Sequence, residues 1–202
     1  MDQKHALVSL VESLEPKIGS HGFLLRGNLF VREGADRQEI VQPGAVRKSM
    51  GRVGLLYGAR VRFPALERLI HGNSADASHS GSYGGLSHLI AEKGYYDWTI
   101  EAPDAIPVVA EAVFANIMQV AFPFFDDHVT LDSLLRALRT HKRPLGLSPE
   151  DQVVYRAAAL WQLGSREESR KMLTDALEER VDQLPKKRVQ IESLFRRLEV
   201  LT

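Results

Sequence analysis

The sequence predicts an α+β protein: an antiparallel four-stranded sheet with helices on one face, followed by an all-helical C-terminal segment. Three observations lead to this. Leu7, Leu10, Val11, Leu14 and Ile18 fall at helical spacings and give the N-terminal helix one apolar stripe to bury. From Arg52 to Phe63, Val53, Leu55, Tyr57, Ala59, Val61 and Phe63 alternate with Gly54, Leu56, Gly58, Arg60 and Arg62, the period of a strand with two different faces. Beyond Pro123 the apolar pattern is helical throughout. The expected division is a sheet domain at 1–125 and a helical segment at 126–202 packed on it.

The first helix is expected from about Asp2, a capping residue, to Gly19, with Pro16 late enough to kink or shorten it. Gly22 to Arg32 opens the sheet as extended chain, and Glu33-Gly34-Ala35-Asp36 supplies turn chemistry. Glu39 to Gln42 reads as a second strand ending at Pro43-Gly44, and the alternating stretch is the third. Gly54 and Gly58 weaken that strand's interior and point to a bulge or a close approach. Gly72 to Gly85 has no apolar period and reads as a long loop, and Tyr95 to Ile100 as the fourth strand. Asp104 is expected to cap a helix carrying Ile106, Val109, Val113, Ile117 and Val120, ended by Pro123. A helix follows Thr130, and Ser148-Pro149-Glu150-Asp151 is a strong start signal after the linker from Thr140 to Leu147.

Composition bounds the rest. With 44% hydrophobic and 26% charged residues in 202, the chain can bury a full core and wholesale disorder is excluded. The 26 basic and 26 acidic residues balance, unlike the basic excess of a broad nucleic-acid surface. The absence of cysteine removes disulfides, thiolate nucleophiles and cysteine-held metals. The polar start Met1-Asp2-Gln3-Lys4-His5 is no signal peptide, and Ile106 to Phe125 carries Glu111, Asn116 and Gln119, so it reads as a buried helix rather than a membrane span. A bacterial cytoplasm is the expected location.

The pattern Gly22, Phe23, Gly27, Asn28, Phe30 and Arg32 after a helix resembles an uncharacterised bacterial domain-of-unknown-function family. The resemblance covers about the first 140 residues and implies a helix-first antiparallel-sheet fold, with no catalytic residues to transfer. Near the C-terminus, Leu160-Trp161, Leu163-Gly164, Ser169, Met172-Leu173 and Ala176-Leu177 resemble one tetratricopeptide-type helical hairpin. Such repeats are usually stable in arrays, and no second copy is visible, so a helical pair packed on its own domain is the favoured reading.

No motif fixes a reaction. His71, His79 and His88 with Asp76 bracket the Gly-rich loop, but they lack the close spacings of a zinc site, and no metal or cofactor is expected. Ser80 to Gly85 has neither the lysine of a phosphate loop nor the register of a nucleophile elbow. Asp126, Asp127 and His128, with Asp97 or Glu101, would suit acid/base work, yet acids ahead of a helix more often serve its N-terminal end.

Charge distribution is the most informative feature. Phe23 to Arg62 carries eight basic residues and three acids, whereas Asp97 to Asp151 carries nine acids and four bases. If helices cover one sheet face, the other is expected to show Arg60 and Arg62, with Arg32 and Arg26 as further binding residues, a surface suited to carboxylate or phosphate. Neutralisation of the two halves within the molecule, or across a homo-oligomer, competes with this.

The function expected is a non-enzymatic, adaptor-type protein whose sheet face and helical hairpin contact another protein, an acidic one fitting the arginines. Neither a membrane nor nucleic acid is the expected partner. The first alternative is a hydrolase or transferase using the His71–His88 loop and Asp126, Asp127 and His128. The second is RNA or single-strand DNA binding through Arg60, Arg62 and Phe30 or Tyr96.

Overall fold

The computed structural model describes residues 2–72, 82–84, 98–140, 147, 149–179 and 185–200. His79, His88, Asp76, the Ser80–Gly81 pair, Tyr95 to Asp97, Ser148 and most of the Gly-rich loop and the 140–147 linker lie outside these residues. The chain divides into two compact units, Met1–Val61 with Tyr83–Asp127, and Arg62–Ser82 with His128–Thr202.

The first unit is the predicted helix and antiparallel sheet. Helix α1, Gln3–Gly19, starts where the Asp2 carboxylate accepts from the Lys4 N–H, and it buries Ala6, Leu10, Val11, Leu14 and Ile18. Pro16 is tolerated inside it. The stretch expected as one opening strand is two: β1, Leu24–Arg26, and β2, Leu29–Glu33, paired antiparallel. Gly27 sits at φ +64 in the two-residue turn between them, a conformation that favours glycine and turns the chain back on itself.

Strand β3, Gln38–Arg47, continues through Pro43 and Gly44, where a stop was expected. Gly44 lies against Leu56 so closely that a Cβ there would sit 3.0 Å from its Cδ1, a close approach of the kind expected of a glycine inside a strand. Strand β4, Val53–Arg62, buries Val53, Leu55, Tyr57, Ala59 and Val61 as the alternation predicts. Two short strands, β5 (Ser82–Gly84) and β6 (Trp98–Ile100), extend the path to β1-β2-β3-β4-β5 with β6 also paired to β4, so the described residues form six strands where four were expected.

Helix α3, Ile106–Asn116, packs beside α1 on the sheet. The Lys17–Glu111 ion pair at 2.6 Å joins these two helices. Asp104 lies in a 3-10 turn, Pro103–Ala105, and provides no side-chain cap. Nor does Pro123 end the helical run. A π-helical turn, Ile117–Ala121, is followed by α4, Phe122–Asp127, which contains the proline. The wider π turn moves the backbone out of the i to i−4 register, in which a proline lacks its N–H and crowds a carbonyl. Phe124 and Phe125 are thereby carried into the core. By length and composition the continuous run Pro103–Asp127 would be able to cross a membrane, but Ile106, Ala110, Val113, Ile117 and Ala121 form a buried stripe in the unit while Val108 is 74% exposed.

The second unit is helical. Helix α2, Pro64–His71, follows β4 directly, with proline at its first turn and Leu66, Glu67 and Ile70 buried. Helix α5, Leu131–Thr140, opens with a reciprocal cap: the Ser133 N–H donates to Thr130 Oγ1, and the Thr130 N–H to Ser133 Oγ, both at 3.1 Å. Helices α6 (Pro149–Gln162), α7 (Arg166–Glu179) and α8 (Pro185–Val200) complete it. Helix α6 touches α2, α5, α7 and α8. That explains why Ala157 to Trp161 is a continuous buried run rather than a single stripe. Gly164, at φ +87, turns α6 into α7.

Candidate functional site

Of the arginines expected to bind, Arg32 and Arg26 lie on opposite faces of the sheet. Residues opposite each other in an antiparallel pair project to the same side. Arg32 faces Glu39, and Phe30 faces Val41, so these four lie together. Arg26 faces Leu29, on the other side. The Arg32 guanidinium is 4.8 Å from the Phe23 ring centre and 5.3 Å from that of Phe122, and it donates to the His21 carbonyl at 3.2 Å, which puts it on the helix-covered side.

Glu39 is the centre of that arrangement. Only 3% exposed, it accepts from Arg32 Nε at 2.5 Å and from Arg37 Nη2. Arg37 Nη1 also donates to the Phe125 carbonyl at 3.3 Å. Arg26 pairs with Glu33 at 2.8 Å in solvent, and Arg52 reaches Glu101 at 4.0 Å. Much of the basic stretch is therefore answered inside its own unit. On β4, Arg60 is half-buried and Arg62 only 8% exposed, and Gly54 and Gly58 before them are buried, so this strand's second face is not an open cationic surface. Phe30, at 1% exposure, has no ring face to offer a base.

The acid and histidine candidates differ in burial: Asp126 and Asp127 are exposed at the end of α4, whereas His128 is 7% exposed. Among the described residues, no three His, Asp or Glu side chains are grouped to hold a metal. Elsewhere in the first unit, the Tyr57 hydroxyl donates to Asn116 Oδ1 and its ring stacks on Trp98. Burial pushes its ionisation above the ordinary phenol range.

The second unit holds a polar cluster that the sequence reading did not anticipate. Glu67, 1% exposed, accepts from the Tyr155 hydroxyl at 3.0 and 3.2 Å, and His71 Nε2 lies 3.5 Å from its carboxylate. Arg197 of α8 donates to the Leu69 and Ile70 carbonyls and to Ser193 Oγ, closing the C-terminal end of α2. The His71 pKa is lowered, first by burial and then by Arg197 and Arg62, against an opposing contribution from Asp151. A lowered folded pKa means the unfolded chain takes up the proton first as pH falls. The contribution is complete above the ordinary value of 6.5 and fades as the pH drops through the folded pKa. Urea midpoints are expected to fall between about pH 7.5 and about pH 5.5, and to fall less for His71→Gln. Equal slopes in the two proteins would exclude this role.

The second unit also carries a groove of about 350 Å³ between α6 and α7, lined by Val153, Arg156, Glu168, Lys171, Met172, Asp175 and Ala176. Local packing creates it. Ala157 and Ser169 are fully buried, and Ser169 Oγ donates to the Ala157 carbonyl at 2.7 Å, so the two helices approach closely along that line. The groove lies beside it. Val153, Met172 and Ala176 supply its apolar part. Glu168 is taken up by Arg139 at 2.7 Å, and Asp175 by Lys171 at 3.4 Å. Arg156 differs from these: its Nε is buried without a hydrogen-bond partner, and no ion pair to a described residue engages it.

Of these groups, Met172 and Ala176 stood in the hairpin pattern read from sequence. Arg156, Glu67 and Tyr155 carried no signal beyond being polar residues within helical periods. No protein-family model, curated protein or solved structure matches the chain.

Proposed function

We propose that this is a non-enzymatic, adaptor-type protein of the cytoplasm that holds a segment of another protein in the α6–α7 groove. The groove itself carries the reading. It combines an apolar part, Val153, Met172 and Ala176, with a rim of charged residues, the distribution found at protein interfaces. Its walls are two helices fixed to each other by buried small residues, so the surface is formed before a partner arrives.

The test uses Asp175→Trp, a substitution at an exposed lining position that places a ring over the groove. Crosslinked pull-downs from native lysate are expected to recover a partner with the parent protein and to lose it with the variant. Recovery of the protein alone, or equal recovery by both forms, would refute the proposal.

A further inference from the structure

We infer that the segment held in the groove is acidic, with an aspartate or glutamate side chain of the partner accepting from Arg156 next to an apolar residue seated on Met172 and Val153. This rests on the groove being the binding site. Charge complementarity then selects the occupant. Four charged residues line the groove, and three are committed: Glu168 to Arg139, and Lys171 and Asp175 to each other. Arg156 alone of the four is left with its Nε buried and no partner among the described residues.

Arg156 is half-buried and lines the groove with no acceptor among the described residues, so a partner carboxylate supplies its terminal N–H groups with charge-assisted hydrogen bonds. A lysine on the partner would meet Arg156 as a like charge, so the site rejects basic segments as well as accepting acidic ones. The apolar contact is of the adaptable kind, since the thioether of Met172 is flexible and only half-buried.

The experiment selects binders from displayed random peptides against the full-length protein, then measures their affinities for the parent, Arg156→Gln, Arg156→Lys and Asp175→Trp, with phosphopeptide versions as a further arm. Retained melting transitions establish that each variant folds. Enrichment of Asp or Glu beside an apolar residue is expected, with a loss of about tenfold or more in Arg156→Gln and a smaller one in Arg156→Lys, which keeps the charge without the fork. Peptides lost by Asp175→Trp but unaffected by Arg156→Gln would leave the groove as the site and overturn the acidic occupant. A preference for phosphorylated over acidic peptides would overturn it in favour of phosphate. Peptides indifferent to Asp175→Trp, or no enrichment at all, would overturn the groove itself.

Discussion

Replacing Glu39 with glutamine is expected to lower the stability of the sheet unit by about 3 kcal/mol, because it leaves two guanidinium groups facing an uncharged amide in a buried setting. The carboxylate side chain is 4% exposed, and Arg37 and Arg32 are 16% and 32% exposed. Breaking a buried charge pair from one side usually costs about 3–5 kcal/mol, and Arg32's exposure places the expectation at the lower end, since water takes over part of its charge. Arg26→Ala, which opens the solvent-exposed pair with Glu33, should cost less than about 1 kcal/mol. Urea denaturation of both variants checks the contrast. A Glu39→Gln protein as stable as Arg26→Ala would mean that the triad is not a structural centre.

The second large effect is expected at Phe125. Its ring is fully buried, 6.0 Å from Phe23, 6.2 Å from Phe122 and 5.8 Å from Phe124 by ring centres. Phe125→Ala removes the most deeply buried ring of that cluster and leaves a cavity that the surrounding helix and sheet fill only in part, a loss of about 3–5 kcal/mol. Circular dichroism melts read it. Pro123→Ala, at an exposed position, is the informative companion, since it restores an N–H without touching the cluster.

How legible the fold was depended on whether local pattern and tertiary context agreed. The alternation from Val53 to Val61 and the stripe on α1 were read correctly because one face of each is buried and the other differs in character. Gly27 was read as part of a strand, and that single turn reverses the chain, so the parity that assigns Arg26 and Arg32 to faces could not be carried through it. The π turn before Pro123 has no sequence signature, and a proline rule applied alone stops the helix at Pro123, short of its end at Asp127. Helix α2 was missed because its eight residues fall between a strong strand and a Gly-rich stretch, although Pro64 at its start and Leu66, Leu69 and Ile70 carry a helical period. The hairpin was legible from its small residues, which let helices approach. The groove was not, because it depends on which charges find partners, as Glu168 does in Arg139 from another helix.

The position of α2 in the chain has a kinetic consequence. Its stabilising partners, Tyr155 on α6 and Arg197 on α8, lie 88 and 128 residues away in sequence from Glu67 and Leu69. During synthesis this short helix leaves the ribosome well before α6 and α8 exist to pack on it, and at about 5–20 residues per second the wait lasts about 4–26 seconds. A fragment beginning at residue 126 would lack it altogether, exposing the face of α6 that α2 covers. Helix α8 therefore completes a unit whose α2 was made more than a hundred residues earlier, which makes closure by α8 the expected slow, aggregation-sensitive step.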